Sequence, residues 1–595
     1  DRETALESAE ILRRKAPVQA KMLEVLSENE YVSLADLQKF TNGSHSTVKA
    51  LEKKNLVNVF DMTVERDPYW NRVFEKTEKM VPTPEQEYAI EVFMQTIENV
   101  INMGKSAIML VPEISLTPQM VSRFMSRFGG RVAIFHSGLS AGERYDQWKK
   151  IRDGEADIVI GARSAIFTPL KNIGVIIMDE EHSDTYKSDM SPRYHARETA
   201  IFRASQFGAA VVLASATPSV ESYYKAQTGE YKLLEMNTRY NKNKMPEISV
   251  IDMRSELEKG NKSMLSGKLY NEIEENLKRG EQTILFLNRR GFSTFVSCRS
   301  CGYVPHCPNC NISLTYHKYE DKLKCHYCGY ERPNYKICPK CGSNYIRYFG
   351  GGTQKVEDEL NRLFPNATTV RMDMDTTGKK QSHEKILQKF EKDKIDILIG
   401  TQMVAKGLDF ENVTLVGVIT ADTMLNINDY RSGERTFAML EQVSGRAGRG
   451  SKEGRAVIQT YTPEHEAVSL VKSHNYRTFY DKEIAKRKLM WYPPFCKIVS
   501  VHFQGNVENI VAKTAKYFLN TAEKTQNISQ KIQVLGPVPS YISKIKNKYR
   551  WQIIFKCEDD DNLGEILSQA EMTCRKNKEF SDVAIIIDKS PGMIN

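Results

Sequence analysis

Two acidic residues follow a short apolar run and are suited to phosphate chemistry. In the segment GVIIMDEEH at 174–182, apolar residues 175–178 are bounded by a glycine and by Asp179 and Glu180. The run predicts a short strand buried on both faces of a parallel sheet, and ligands bind at the carboxyl ends of such strands. Asp179 would then hold the Mg²⁺ of a nucleotide, and Glu180 would orient and deprotonate a water. The alternative interpretation is an acidic turn after a core strand.

Eight of the eleven cysteines form four Cys-x-x-Cys pairs within 44 residues. Each pair presents two thiolates to one tetrahedral ion, so the pattern predicts two structural Zn²⁺ sites rather than disulfides. Fourteen residues separate the second and third pairs, close to zinc-ribbon spacing. If those pairs share one ion, the first and fourth pairs share the other. Because the thiolates already complete both sites, we expect no histidine ligand; the predicted ligands are Cys298, Cys301, Cys307, Cys310, Cys325, Cys328, Cys338 and Cys341.

A glycine-rich segment carries two arginines three residues apart, Arg446 and Arg449. On one helical turn both guanidinium groups would point to the same side. Planar forked cations placed there would neutralise the charge that spreads over a transferring phosphoryl group. The alternative is a surface pair that contacts solvent or a DNA phosphate.

The segments that carry these residues are predicted strands and helices that alternate along the chain. This alternation predicts parallel sheets in an α/β fold. In the first half of the pattern, the predicted strands cover 107–111, 132–135, 158–160, 175–178 and 211–214. In the second half they cover 284–287, 397–399, 413–419 and 456–459. Most of the connecting loops are rich in small hydroxyl and glycine residues, which let backbone amides approach phosphates closely.

The two ends of the chain have different patterns. Helical patterns at 18–27, 33–40 and 46–54, followed by a candidate hairpin at 57–60 and 62–65, suggest a winged helix whose third helix either reads DNA or serves as a protein adaptor. Strand and helix signals at 498–503, 507–524, 551–556 and 583–588 predict a small C-terminal α+β domain. Its basic stretch of Lys544, Lys546, Lys548 and Arg550 flanks Tyr549 and Trp551, and a solvated hairpin is the alternative to a binding surface.

The amino-acid composition limits the classes of protein to which this chain can belong. The 595 residues are 41% hydrophobic and 27% charged, a globular balance. No apolar run reaches the ~18 residues that span a bilayer, so we expect a cytoplasmic protein with no membrane partner. The net charge of +9 permits a polyanionic partner without requiring one.

Taken together, the motifs resemble those of superfamily 2 helicases and, within that superfamily, the PriA family of replication-restart helicases. The likeness runs from about residue 17 to the end of the chain. The segments that carry it are TPEQ at 83–86, VPEISLTPQ at 111–119, GARSAIF at 161–167, DEEH at 179–182, SATPS at 215–219, GTQMVAKGLDF at 400–410, QVSGRAGR at 442–449, the cysteine block and WYPPF at 491–495.

The resemblance implies a fold with two RecA-like parallel-sheet motor lobes, a winged helix, an inserted zinc-binding module and a C-terminal α+β domain. The expected domains are 1–66 (winged helix), 67–82 (linker), 83–235 (helicase lobe 1), 236–297 and 346–490 (the two parts of lobe 2), 298–345 (two-zinc insertion) and 491–595 (C-terminal domain). It also favours the nested pairing of the zinc ligands.

The activity that the resemblance implies is ATP-dependent 3′ to 5′ unwinding of DNA at abandoned or stalled replication forks, with initiation of primosome assembly. The implied cofactors are ATP, Mg²⁺ and two Zn²⁺. By matching position, Arg446 and Arg449 contact the γ-phosphate and Gln86 senses the adenine, with further nucleotide contacts from Gly407, Asp409 and Gln442.

After DEEH, the resemblance implies an aromatic-rich loop that couples DNA binding to hydrolysis and includes Tyr186, Arg193, Tyr194 and His195. Aromatic rings there would stack on bases. The implied partners are forked and single-stranded DNA, single-stranded-DNA-binding protein, and primosome and helicase-loader proteins, bound by a monomer.

Two other functions fit part of the same pattern. One is a hydrolysis-deficient fork-binding scaffold that recruits the helicase loader; intact Asp179, Glu180, Arg446 and Arg449 weigh against it. The other is a duplex translocase that does not separate strands.

The sequence departs from the helicase pattern in lacking a Gly-x-x-x-x-Gly-Lys-Ser/Thr phosphate loop. The loop should follow TPEQ, but Ile90 continues directly into Glu91. Without it the β- and γ-phosphates lose their amide cradle and lysine, and ATP turnover should collapse. We therefore expect the purified protein to contain further residues at this point. A measured mass of 68.0 kDa, that of the printed sequence, would contradict this expectation.

Overall fold

The computed structural model describes residues 2–28, 32–60, 84–112, 118–235, 245–288, 295–317, 320–348, 353–372, 382–401, 410, 412–448, 452–524, 532–558 and 560–592. The chain forms two compact units, Asp1–Trp70 and Asn71–Asn595.

The first unit is a small helical domain built from α1 (Arg2–Leu12), α2 (Pro17–Glu28), α3 (Leu34–Thr41) and α4 (His45–Glu52). The last three match the predicted helices. Their apolar faces form one core, which includes Met22, Leu23 and Leu51. Residues 57–60 of the predicted hairpin form no strand, and 62–65 lie outside the described residues.

Lobe 1 contains a five-stranded parallel sheet in the order β2-β3-β1-β4-β5. Each strand overlaps a predicted one, and its bounds differ from the prediction by two residues at most. The strands are β1 (Ser106–Leu110), β2 (Val132–Phe135), β3 (Ile158–Gly161), β4 (Ile173–Met178) and β5 (Ala210–Leu213). The helices are α5 (Pro84–Asn102), α6 (Pro118–Phe128), α7 (Ala141–Arg152), α8 (Ala196–Phe207) and α9 (Val220–Gln227).

Strand β5 is an edge strand that remains half exposed. Within the described residues it pairs only with β4. Its first residue is exposed and the next three are half-buried, whereas the edge strand β2 on the other side is buried at three of its four residues. The apolar sequence Ala-Val-Val-Leu is typical of a strand covered on both sides. The free edge of β5 therefore offers unpaired backbone groups where a further parallel strand would fit.

Lobe 2 contains a six-stranded parallel sheet in the order β13-β14-β7-β15-β16-β6. Its strands are β6 (Glu247–Asp252), β7 (Gln282–Phe286), β13 (Thr369–Met372), β14 (Ile397–Gly400), β15 (Val413–Val418) and β16 (Arg455–Thr460). The four central strands were predicted. The edge strands β6 and β13 were not, because they are less buried and their sequences mix polar with apolar residues.

The helices of lobe 2 surround this sheet. They are α10 (Met253–Glu258), α11 (Gly267–Arg279), α12 (Thr353–Leu363), α13 (Ser382–Lys392), α14 (Asp422–Leu425), α15 (Ser432–Ser444), α16 (Glu466–Ser469) and α17 (Tyr476–Leu489). Helices α15 and α17 run beside lobe 1 and carry most of the contacts between the lobes described below.

The C-terminal domain is an antiparallel sheet in the order β18-β19-β17-β20 with two helices. Its elements are β17 (Lys497–Gly505), α18 (Glu508–Lys524), β18 (Ile532–Ile545), β19 (Lys548–Cys557), α19 (Asp560–Lys576) and β20 (Ala584–Lys589). Strand β18 was not predicted, because Gly536, Pro537 and Pro539 interrupt its pattern and confine it to the sheet edge.

The zinc module interrupts lobe 2 between β7 and α12. It consists of short strands: β8 (Val296–Cys298), β9 (Thr315–His317), β10 (Lys322–Lys324), β11 (Glu331–Pro333) and β12 (Ile346–Tyr348). Its core is continuous with apolar residues of the C-terminal domain, including Ile498 and Ile554. The Tyr492 hydroxyl donates to the Cys310 carbonyl at 3.2 Å, and the Gln552 amide donates to the His326 carbonyl at 2.9 Å. The module is thus packed against the C-terminal domain as well as inserted in lobe 2.

No helix in the described ranges is long and apolar enough to cross a bilayer.

Candidate functional site

Asp179 directly follows β4, at the carboxyl edge of the lobe 1 sheet, as predicted. Its backbone N–H donates to the Leu110 carbonyl of β1 at 2.9 Å. The buried Tyr186 hydroxyl lies 2.6 Å from the Asp179 carbonyl oxygen and 3.0 Å from that of Leu110. These contacts fix the backbone of Asp179 against the two central strands.

Glu180 adopts a left-handed backbone conformation and faces lobe 2. Its φ is +49°, which a non-glycine residue adopts at a cost of roughly 1–2 kcal/mol. Such conformations are concentrated at functional sites. The turn directs the carboxylate across the cleft, where the Gln442 Nε2 of α15 donates to Glu180 Oε1 at 3.1 Å. One residue of DEEH and one of QVSGRAGR therefore meet directly.

Glu181, in contrast, is a buried structural residue. Its side chain is 1% exposed and accepts hydrogen bonds from the Ser219 backbone N–H and the Ser222 hydroxyl, at 2.5 and 3.0 Å. Arg197 lies 3.2 Å from the same carboxylate. The sequence analysis assigned the water-activating role to Glu180, and the surroundings of the two glutamates place Glu180 at the cleft and Glu181 in the core.

His182 connects DEEH to the SATPS segment. Its Nδ1 lies 2.7 Å from the Ser215 hydroxyl and 3.5 Å from Glu180 Oε2. The Ser215 hydroxyl also accepts the Thr217 backbone N–H at 3.0 Å. A shift of either segment would therefore be transmitted to the other through this imidazole.

The structure describes only some of the other predicted site residues. Arg446 is buried two residues beyond the end of α15, one turn after Gln442. The Gln86 backbone lies in α5, and its side chain is not described. Arg449, Gly407 and Asp409 lie outside the described residues.

A buried ion network joins the two lobes behind the cleft. Arg487 of α17, fully buried, contacts Glu221 of lobe 1 at 3.1 Å, and Glu434 and Glu483 of lobe 2 at 2.6 and 3.1 Å. Glu434 also accepts the Val220 backbone N–H at 2.7 Å. Burial would raise the pKa of Glu221, but the guanidinium groups, Arg487 above all, outweigh it and lower that pKa to about 2. The network keeps α15 against lobe 1.

The segment after DEEH differs from the expectation of base-stacking aromatics. That prediction is wrong for Tyr186, which is fully buried and hydrogen bonded. Tyr194 packs edge-to-face on Phe167, with 4.7 Å between ring centroids, and the Phe167 ring remains half exposed. Burial lowers the pKa of His195 to about 3, so its neutral ring accepts the Arg197 N–H at 3.2 Å. Tyr194 and His195 are only half-buried, so base stacking by Tyr194 stays a prediction.

The cysteines form two groups of four, Cys298/Cys301/Cys338/Cys341 and Cys307/Cys310/Cys325/Cys328. The nested pairing is confirmed. Sulfur atoms from different pairs lie 3.5 to 3.7 Å apart. Four thiolates at a Zn–S distance of about 2.3 Å define a tetrahedron with edges of about 3.8 Å, so both groups fit Zn²⁺.

Each Cys-x-x-Cys turn ends in a residue with positive φ: Gly302, Asn311, Gly329 and Gly342. The N–H of each donates to the carbonyl of the first cysteine of its pair, at 2.8 to 3.0 Å. This turn points both sulfur atoms to one side. The sequence signal was available, because glycine or asparagine follows every pair, and both residues tolerate left-handed backbone.

The crowding around Gly302 yields a prediction. A Cβ on Gly302 would lie 2.1 Å from the Tyr461 carbonyl, whereas one on Gly342 would meet nothing within 4 Å. Both substitutions strain the backbone by about 1 kcal/mol, but only Gly302→Ala must also displace lobe 2 backbone. We expect Gly302→Ala to lower the midpoint of thermal unfolding and to speed zinc release to a chelator, relative to Gly342→Ala. Equal behaviour of the two variants would contradict this account.

Four known families match separate segments of the chain, and these segments correspond to the domains seen in the fold. Residues 88–226 match the DEAD/DEAH box helicase family, and 344–451 the helicase conserved C-terminal domain. Residues 307–333 match the PriA DNA helicase Cys-rich region domain, and 488–591 the Primosomal protein N C-terminal domain. The two lobes are therefore helicase lobes, and the cysteine module is of the PriA kind.

Replication restart proteins of several bacteria are similar to this chain over nearly all of its length. The replication restart protein PriA of Bacillus subtilis (strain 168) is 47% identical over 100% of this chain and 77% of its own length. That of Synechocystis sp. (strain PCC 6803) is 42% identical over 91% and 68%, and that of Haemophilus influenzae 35% over 99% and 82%. The Bacillus alignment spans 625 positions, about 30 more than the 595 residues here. That relative therefore contains residues with no counterpart in this chain.

These matches include both lobes, the cysteine module and the C-terminal domain, in the order that the structure shows. The chain belongs to the PriA family of replication restart proteins.

Proposed function

We propose that this chain is an ATP-driven motor that unwinds DNA in the 3′ to 5′ direction at abandoned or stalled replication forks and initiates primosome assembly. Family membership makes it a DNA helicase of replication restart. The observation that supports the ATP-driven mechanism best is the contact between Glu180 of lobe 1 and Gln442 of lobe 2. A bond across the cleft allows nucleotide hydrolysis in one lobe to change the position of the other.

The residues at the cleft have separate roles in this proposal. Asp179, held rigidly by Tyr186, would bind the Mg²⁺ of the nucleotide, and that ion would supply neutralisation of phosphate charge. Glu180 orients a water and accepts its proton, and Gln442 keeps its carboxylate in position. Arg446 and Arg449 stabilise negative charge from the lobe 2 side. The nucleotide contacts of Gln86, Gly407 and Asp409 remain part of the proposal.

The phosphate cradle is the part of the site that the sequence lacks. Helix α5 continues through Ile90 and Glu91 without interruption, and β5 has a free edge in the same lobe. The Bacillus relative has about 30 residues without a counterpart here. We attribute the free edge to an additional strand and phosphate loop of the intact protein, inserted after Ile90.

DNA and protein contacts complete the proposal. Lys49, Lys53 and Lys54 are exposed on or just after α4 of the first unit, where they would contact a DNA backbone. Exposed Lys544, Lys546 and Lys548 surround the β18–β19 turn, suited to DNA phosphates or to the acidic tail of single-stranded-DNA-binding protein. Helicase-loader proteins, a cytoplasmic location and a monomeric state belong to the same proposal.

A second candidate function is a fork-binding scaffold that does not hydrolyse ATP. The absence of a phosphate loop from the sequence favours it. Protein with a mass of 68.0 kDa that binds forked DNA but shows no DNA-stimulated turnover would establish the scaffold. Displacement of a labelled strand, in turn, separates the helicase from a duplex translocase.

The two neighbouring glutamates provide a direct test of the motor. We expect Glu180→Gln to lower DNA-stimulated ATP turnover by about 10²–10⁴-fold, the range for loss of a general base, with thermal unfolding unchanged. Glu181→Gln should instead lower stability, by up to about 3 kcal/mol, because it removes the charge opposite Arg197 in the core. Turnover and unfolding midpoints are measured for both variants.

Exposed Glu198 of α8 serves as the matched control, since Glu198→Gln should change neither quantity. If Glu180→Gln retains full turnover, the assignment of Glu180 as the base is wrong.

A further inference from the structure

A buried ion pair connects the C-terminal domain to lobe 1 across 401 residues of sequence. Lys187 Nζ lies 2.5 Å from Asp588 Oδ1 of β20, and the two side chains are only 3% and 5% exposed. Arg193 approaches the other carboxylate oxygen at 3.5 Å. Such pairs are often no more stabilising than apolar residues of the same size, so stability alone does not explain this one.

Lys187 lies next to the residue that fixes the proposed metal ligand. Tyr186 precedes it, and its hydroxyl is 2.6 Å from the Asp179 carbonyl. Arg163, of the GARSAIF segment, donates to the carbonyls of both Thr185 and Lys187. Asp588, Lys187, Tyr186 and Asp179 therefore form a continuous chain of contacts from β20 to the nucleotide cleft.

The residues that follow Asp588 contact lobe 2. Arg431 Nη1 donates to the Gly592 carbonyl at 2.8 Å and to that of Pro591 at 3.2 Å. Arg435 Nη2 donates to the Gly592 carbonyl at 2.6 Å and to Asp184 Oδ1 of lobe 1 at 2.9 Å. Both arginines lie at the start of α15, whose last turn carries Gln442. Residues 588–592, which we call the strap, thus touch both lobes beside the cleft.

We propose that the strap couples DNA binding to ATP turnover, with Asp588 as the positioning residue. It fixes Lys187, so a displacement of the 183–195 segment by DNA moves Tyr186 and the Asp179 backbone instead of being absorbed locally. At the same time it fixes the start of α15, so lobe 2 follows the same displacement. The inference rests on the proposed function, because it assigns the strap to the motor.

The test compares Asp588→Asn, Lys187→Met and the double variant. We expect each single variant to lower the ratio of DNA-stimulated to basal ATP turnover by about five-fold or more, the lower end of typical coupling between sites, with DNA affinity unchanged. The double variant should be no worse than either single one, because the pair acts as a unit. Glu579→Gln is the matched control, since its pair with Lys513, at 3.5 Å, lies on the C-terminal domain surface. An unchanged ratio in folded Asp588→Asn protein overturns the proposal.

Hydrogen exchange on the unaltered protein keeps the inference testable if a variant does not fold. Forked DNA should change the exchange of peptides covering 183–195 and 584–592 together. A change confined to 183–195 contradicts the strap. If the unaltered protein shows no turnover, the proposed motor function fails, and the exchange result still decides whether the strap transmits the displacement.

Discussion

The buried guanidinium of Arg487 is the interaction on which the relation of the two lobes depends. It joins carboxylates from three helices, one of them in lobe 1. A charge in this position cannot be hydrated, and removing the guanidinium would leave the buried carboxylates without their shared cation, at a cost of about 3–5 kcal/mol. Because Glu434 and Gln442 lie on the same helix, the network that holds α15 against lobe 1 also presents Gln442 to Glu180. The ion network therefore determines the position of Gln442 at the cleft, although none of its own residues is a predicted nucleotide contact.

The C-terminal domain contacts the zinc module and both lobes. One end of its sheet shares an apolar core with the zinc module, and the strap at the end of β20 reaches both lobes. The zinc ions would make the module rigid without taking part in chemistry, since each group of four thiolates leaves no open coordination position. Rigid packing of this kind suits a motor, because a displacement produced at the cleft is then transmitted instead of being lost in loose domains.

The chain contains the predicted acidic and glutamine residues of the cleft, but its sequence lacks a phosphate loop. Glu180 contacts Gln442 of α15 and His182, and His182 contacts Ser215; the proposed motor binds its nucleotide beside these residues. The half-exposed β5 and the uninterrupted α5, in contrast, mark the region where the phosphate loop of such motors belongs. The half-exposed apolar strand β5 supports the proposal that a further strand belongs at that edge, and this support does not depend on any motif.

The sequence by itself determined the central strands, the metal ligands and the acidic residues at the end of β4, because buried strands and ligand sets leave local patterns of residue type and spacing. It did not reveal β6, β13 or β18, whose edge positions permit polar residues and prolines. Nor did it show that Glu181 is buried against Arg197, that Tyr186 is buried, or that Lys187 meets Asp588. Those outcomes depend on contacts between residues far apart in the chain, and only the tertiary structure decides which side chains lose their water and which partners they find.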